Sequence, residues 1–195
     1  GIVSVQIILA YGQELGFSPE QLLAGSDILP NHLEQPEAQI EDRQELKVLE
    51  NLLHLAGNGF RLGVELGLRY QLTSYGIVGY ALLASSTLRK AADVGFRYLA
   101  LTYAFSNIQL QEEGNQAKLS FHCDIPGELG DMVLIRDIWA VSVIQKELFA
   151  GLNIPIELHL EGTLPNLGGE QNLERLEREL GGQILFEQRE SAYVG

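Results

Sequence analysis

Residues 76–91 carry the pattern that says most about the fold. They read Gly76-Ile77-Val78-Gly79-Tyr80-Ala81-Leu82-Leu83-Ala84-Ser85-Ser86-Thr87-Leu88-Arg89-Lys90-Ala91. Two glycines and an aromatic residue belong to an apolar run, and the hydroxyl residues after it are typical helix N-caps. The stretch predicts a short helix from Ile77 to Leu83. After a break we expect a long helix from Thr87 to about Phe105, capped by Ser85 or Ser86.

Upstream of this stretch, apolar residues recur at helical spacing. They predict helices over residues 2–16, 19–24, 41–56 and 60–68. Ser18 is the expected N-cap of the second helix. The predicted buried side of the third helix consists of Leu46, Leu49, Leu53 and Ala56. Gly63 and Gly67 lie inside the fourth helix and indicate close approach of another element.

Downstream of the stretch, short alternating segments replace part of the helical pattern. A hairpin is predicted from residues 107–111 and 117–123, which flank a turn that contains a glycine. Further strands are predicted over 156–160, 183–186 and 192–194, and further helices over 130–150 and 171–180. The expected architecture is α+β, with a helical N-terminal half packed with a small mixed β-sheet in the C-terminal half. No linker divides the chain, so we expect one domain over residues 1–195.

Charge and cysteine content exclude several classes of protein. The chain has 26 acidic and 13 basic residues and a formal charge of −13, which repels the phosphate backbone of nucleic acids. The single cysteine, Cys123, excludes an internal disulfide and fits a reducing compartment, so we expect a cytoplasmic protein. No segment reaches the ~18 apolar residues that a membrane span needs. The chain does not begin with Met, and we expect it to be a piece of a longer protein.

The stretch that opens this section resembles a family signature. Gly-x-x-Gly-Tyr, four residues, then Ser-x-Thr-Leu-x-x-Ala is similar to the N-terminal effector domain, named "arabinose-binding", of AraC-type transcription regulators. Phe60-Arg61-Leu62-Gly63 upstream and the Leu-Gly-Gly-x-Ile-x-Phe run from Leu180 downstream extend the resemblance over nearly the whole chain. Ser86 departs from the pattern, since the family commonly has proline there.

The resemblance implies a regulatory domain that binds a small molecule, often works as a homodimer and is not an enzyme. It also implies a C-terminal pair of helix-turn-helix motifs, which would contact DNA in the full protein and which this chain lacks. The residues alone leave two alternatives open. One is an oligomerisation module without a ligand, and the other is a small enzyme.

The residues offer little for catalysis. The histidines His32, His54, His122 and His159 have no metal-ligand spacing, and adjacent strand residues such as His122 and Cys123 point to opposite faces. No nucleophile elbow, phosphate loop or zinc-protease motif is present. We therefore predict no catalytic residue, no metal site and no cofactor.

For ligand binding we single out aromatic and arginine side chains on otherwise apolar helices. These are Tyr75, Tyr80, Arg97, Tyr98, Tyr103, Arg136 and Trp139. An arginine that points inward must pair with a protein acid or with a ligand anion, and Asp93, Asp131 and Asp137 are the acids close in sequence. The expected site is an apolar pocket between the helices and the sheet that contains Arg97 or Arg136. An amphipathic acid, such as a fatty acid, an amino acid or an aromatic acid, is the expected effector.

Overall fold

The computed structural model describes residues 1–35, 38–98, 102–113, 116–148, 157–161, 170–188 and 191–194. Eight α-helices lie in these residues: α1 (Ile2–Glu14), α2 (Pro19–Leu23), α3 (Asp42–Ala56), α4 (Gly59–Gly67), α5 (Gly76–Leu83), α6 (Leu88–Arg97), α7 (Gly127–Leu148) and α8 (Glu170–Leu180). Two 3₁₀ turns, Pro30–Glu34 and Leu72–Tyr75, precede α3 and α5. No helix in the described ranges combines the length and the apolar character needed to cross a membrane.

The C-terminal half supplies a mixed sheet. Its strands are β1 (Asn107–Glu113), β2 (Gln116–His122), β3 (Glu157–Glu161), β4 (Gln183–Gln188) and β5 (Ser191–Val194), in the spatial order β1-β2-β5-β3-β4. All pairs are antiparallel except β3 with β4, which are parallel and have α8 between them in the chain. The predicted hairpin, the later strands and the α+β class are confirmed.

Helix α7 is the element around which the core is built. Its N-terminal part, with Met132 and Val133, packs against α1, α2 and α3. Further along, Ile138 and Trp139 pack against α4, α8 and the sheet. Near its C-terminal end, Ile144 and Leu148 lie against α5 and α6. One helix therefore contacts the helical half, the sheet and the stretch 76–91.

Two glycines let α4 approach α7. A Cβ atom on Gly63 would lie 2.5 Å from the carbonyl oxygen of Met132, and one on Gly67 would lie 2.5 Å from Cβ of Trp139. Real Cβ atoms do not come this close to other heavy atoms, so only glycine fits at either position. The predicted close packing at Gly63 and Gly67 is confirmed, and its partner is α7.

Four expectations from the sequence need correction, and two of them concern the end and the N-cap of α6. Helix α6 ends at Arg97 instead of Phe105, because residues 102–106 leave the helix and the amides of Phe105 and Ser106 donate to Asp137. The N-cap of α6 is Thr87, because its Oγ1 atom accepts a hydrogen bond from the backbone amide of Lys90 at 3.2 Å. Ser85 and Ser86 were therefore the wrong choice of cap.

The other two corrections concern α7 and α3. Helix α7 begins at Gly127, three residues before the predicted start. The buried side of α3 consists of Glu45, Val48, Leu49 and Leu52, while Leu46 and Leu53 are only partly buried and Ala56 is exposed. Ser18 caps α2 as predicted and forms a capping box with Gln21.

Candidate ligand-binding site

The seven predicted site residues fall into two groups. Tyr75, Tyr103, Arg136 and Trp139 lie on α7 or in the interior beside it. The other three lie outside: Tyr80 on the exposed face of α5, and Arg97 and Tyr98 at the exposed C-terminal end of α6. The structure thus brings four of the seven to the inner part of the molecule.

Arg136 is fully buried and is paired with protein acids. Its Nε and Nη2 atoms donate to Oδ1 of Asp137 at 2.9 and 2.7 Å, and Nη1 donates to Oε1 of Glu45 at 3.3 Å. Nη2 also donates to the carbonyl of Tyr103 at 2.7 Å. Of the acids considered from the sequence, Asp137 is the partner. Its second oxygen accepts the amides of Phe105 and Ser106 at 3.0 and 2.8 Å, which fixes the chain before β1.

Glu45 is the residue that the sequence analysis missed. It is buried on α3, and its two carboxylate oxygens accept from Arg136, from the Ser4 hydroxyl at 2.5 Å and from the Gly1 nitrogen at 2.7 Å. Ser4 also shares a 2.5 Å hydrogen bond with the hydroxyl of Tyr70. The sequence contains a signal for it, because Glu45 lies on the same side of the helix as Val48, Leu49 and Leu52. An acid on the apolar side of a helix requires a buried partner.

Burial and charge set the protonation of this network. Burial alone would lower the pKa of Arg136, but the carboxylates of Asp137 and Glu45 raise it above its ordinary value, so the guanidinium stays charged. Burial also raises the pKa of Tyr70 to about 12, which keeps its hydroxyl neutral. The network is therefore a fixed arrangement of two carboxylates, one guanidinium and neutral hydroxyls.

Three tyrosine rings lie beside Arg136. The ring centroids of Tyr75 and Tyr103 are 5.4 Å apart, and that of Tyr70 lies 6.4 and 6.0 Å from them. The Tyr103 hydroxyl donates to the carbonyl of Ser74 at 2.8 Å, which connects the chain before β1 with the 3₁₀ turn before α5. Burial raises the pKa of Tyr75 and of Tyr103. We call Tyr70, Tyr75 and Tyr103 the tyrosine cluster.

Trp139 lies one turn after Arg136 on α7 and is completely buried. Phe60 of α4 meets its ring edge-on, with centroids 6.4 Å apart and an interplanar angle of 72°. Aliphatic side chains from α4, α7, α8 and the sheet complete its surroundings. Among the residues that the structure describes, none accepts a hydrogen bond from the indole Nε1, although buried Trp N–H groups usually find an acceptor.

Other reactive groups in the described ranges are isolated. No group of three His, Cys, Asp or Glu side chains there is arranged to hold a metal ion. His122 lies 3.0 Å from the nearby acid Asp124, and His159 lies 3.1 Å from Glu157. Burial raises the pKa of the Cys123 thiol, which disfavours the reactive thiolate. These residues stay outside any candidate site.

Comparisons with known proteins agree with the resemblance noted from the sequence. Two curated relatives, uncharacterized HTH-type transcriptional regulators of Mycobacterium bovis and Mycobacterium tuberculosis, are each 26% identical to the chain over 138 residues. The alignments cover 70% of this chain and 40% of each relative, so the chain spans less than half the length of these proteins. The crystal structure of the transcriptional regulator CdpR from Pseudomonas aeruginosa has the same fold. It superposes with a TM-score of 0.64 at 14% identity, covering 97% of this chain and 53% of that one.

The family model carries the assignment. A model described as the arabinose-binding domain of AraC transcription regulators, N-terminal, matches residues 16–194. That range includes the stretch 76–91, the three glycines of α4, and every residue of the tyrosine cluster as well as Arg136 and Trp139. The chain belongs to the family of arabinose-binding domains that stand at the N-terminus of AraC transcription regulators.

Proposed function

We propose that this chain is the effector-sensing domain of a bacterial AraC-type transcription regulator. In this proposal it binds a small molecule in the cytoplasm and controls a C-terminal DNA-binding domain, which lies outside the chain. It performs no catalysis. The observation that carries the proposal is the indole N–H of Trp139, a fully buried donor with no acceptor in the described part of the chain. A ligand that supplies an acceptor oxygen would satisfy it.

The position of α7 supports the signalling part of the proposal. Arg136 and Asp137 hold the chain before β1 through Tyr103, Phe105 and Ser106, and Trp139 lies one turn further along the same helix. A ligand that moves α7 relative to α4 would therefore also move the segment that leads into the sheet. Such coupling requires that the ligand bind the two arrangements with different affinity.

Native mass spectrometry beside denaturing mass spectrometry tests the proposal. A mass excess present only in the native spectrum of the purified chain would reveal a bound small molecule and give its size. We expect such an excess, or else recovery of one after incubation with an extract of small metabolites. The contrary result would be a native mass that equals a whole number of chain masses, both for the purified chain and after incubation with the extract. It would contradict ligand sensing.

A second candidate function, homodimerisation, is favoured by the outer face of α5. This helix consists only of apolar residues and packs through Val78 and Leu82. Ile77, Tyr80 and Leu83 on its other side are 84, 67 and 54% exposed. A helix that is apolar all round is normally buried, and exposed apolar patches often mark interfaces. We propose that a second copy of the chain covers this face, which is compatible with ligand sensing.

A further inference from the structure

We infer that the effector is an uncharged, largely apolar molecule whose carbonyl-type oxygen accepts the indole N–H of Trp139. The inference rests on the proposed function and specifies its ligand. It also replaces the amphipathic acid expected from the sequence. The reasons are the charge state of Arg136 and the surroundings of Trp139.

The first step concerns the cation that an acid would need. Among the buried polar side chains of the described ranges, Arg136 is the only one that carries a positive charge. Its Nε, Nη1 and Nη2 groups already donate to Asp137, Glu45 and the Tyr103 carbonyl. An anionic ligand would add a third negative charge beside this single guanidinium, whose charge the two buried carboxylates already balance.

The second step concerns the net charge of the network. Arg136 and the Gly1 amino group face two carboxylates, so the network is neutral as it stands. If the Gly1 nitrogen is a peptide nitrogen in a longer chain, the network carries one negative charge. In both cases no positive charge remains for a ligand anion, and the acidic surface of the protein adds further repulsion.

The third step concerns Trp139. Its indole N–H is an uncharged donor in a cluster of aliphatic and aromatic side chains. An ionised carboxylate placed there would lose its hydration and gain a single hydrogen bond from a neutral donor. The free energy of that bond is smaller than the free energy of the lost hydration. A ketone, ester or amide oxygen has far less hydration to lose and satisfies the same donor. The site therefore selects for a neutral acceptor.

The test uses pairs of probes that share a carbon skeleton and differ in charge. Methyl decanoate is compared with decanoate, and acetophenone with benzoate, by calorimetric titration of the purified chain. Trp139 is the only tryptophan, so its indole N–H gives one resonance in a nitrogen-labelled sample. We expect at least one neutral probe to bind about tenfold or more tightly than its carboxylate partner and to move this resonance.

Trp139→Phe should weaken the binding of that neutral probe about fivefold, while Arg43→Gln, a change of an exposed side chain on α3, should leave its affinity unchanged. If Trp139→Phe does not fold, the indole resonance of the wild-type chain decides alone. Tighter or equal binding of a carboxylate overturns the inference, as does an unmoved resonance or the failure of both neutral probes. If the native mass spectrum shows a bound molecule that proves to be an acid after extraction, the inference fails and the proposed function stands. If neither a bound molecule nor any probe is found, both fail together.

Discussion

Nη1 of Arg136 on α7 lies 3.3 Å from Oε1 of Glu45 on α3, and both side chains are at most 2% exposed. The contact joins residues 91 positions apart in the sequence. It links the helical half to the helix that also supports the sheet. Both charges have lost their hydration, so Glu45 depends on Arg136 for stability, and Arg136 depends on both Glu45 and Asp137.

Arg136→Met should therefore destabilise the fold strongly. It leaves the Asp137 carboxylate buried without a cation and removes the partner of Glu45 on α7, and breaking such a buried pair typically costs about 3–5 kcal/mol in the free energy of unfolding. Urea unfolding at neutral pH measures the loss. Arg43→Gln is the matched control, because the pair of Arg43 with Glu41 is exposed to solvent and its removal should leave the midpoint unchanged. Equal midpoints for Arg136→Met and the wild type would show that the buried pair contributes nothing.

The same network shows what the sequence could and could not predict. Local patterns located the helices and strands, because apolar periodicity and capping residues act within a few positions. The end of α6 was misplaced because a contact distant in sequence decides it: Asp137 takes the amides of Phe105 and Ser106, which leave the helical path. No local signal in residues 97–106 reports that acceptor.

The buried residues around α7 were predictable to the extent that a residue type was unusual for its surroundings. Arg136 was singled out as a charged residue on an apolar helix, and Trp139 as a large aromatic residue on the same helix. Asp137 was among the expected partners of the arginine. Glu45 was missed because a different side of α3 was chosen, and Ser4 because a serine in an apolar helix carries no special signal. Which buried donor has no acceptor depends on the whole packing and is visible only in the structure.

Gly67→Ala should lower stability, although glycine to alanine usually stabilises a helix. The new Cβ would lie 2.5 Å from Cβ of Trp139 and 2.6 Å from the Arg136 carbonyl oxygen, so α4 and α7 would have to separate. Overpacking of this kind typically costs about 1–3 kcal/mol. Gly95→Ala on α6 is the control, because its nearest new neighbour is Leu82 at 3.6 Å.

Thermal unfolding of both variants checks the prediction. Gly95→Ala should gain roughly 0.5–1 kcal/mol, since it removes the entropic cost of a helical glycine without a clash. The two changes should therefore have opposite signs. A gain of stability in both variants would show that the α4–α7 contact can relax around an extra methyl group.

Stability should fall at alkaline pH, and one of the buried phenols that cause the fall is Tyr70. Burial raises the pKa of this phenol from 10.0 to about 12, so the folded protein keeps a proton that the unfolded chain releases. The stability contribution is therefore complete below pH 10 and is lost as the pH rises from 10 to about 12, by roughly 2–3 kcal/mol in total. Urea unfolding at a series of pH values measures the slope.

Tyr70→Phe removes the titrating group and should make this alkaline slope shallower, at the cost of the hydrogen bond to Ser4. Arg43→Gln, a change of an exposed side chain on α3, should keep the wild-type slope. If the Tyr70→Phe variant loses stability in parallel with the wild type above about pH 10, then Tyr70 does not couple folding to alkaline pH.

Tyr80→Glu should prevent self-association if a second copy covers α5. Tyr80 lies between Ile77 and Leu83 on the exposed apolar face, and in a two-fold symmetric contact the change would place two carboxylates in the same buried patch. Sedimentation velocity should then show a dimer for the wild type and a monomer for the variant. Leu29→Glu is the control, since Leu29 is an exposed apolar residue outside α5 and its replacement should leave the dimer intact. A monomeric wild type, or a Tyr80→Glu variant that dimerises normally, would assign the exposed face of α5 to something other than a second copy.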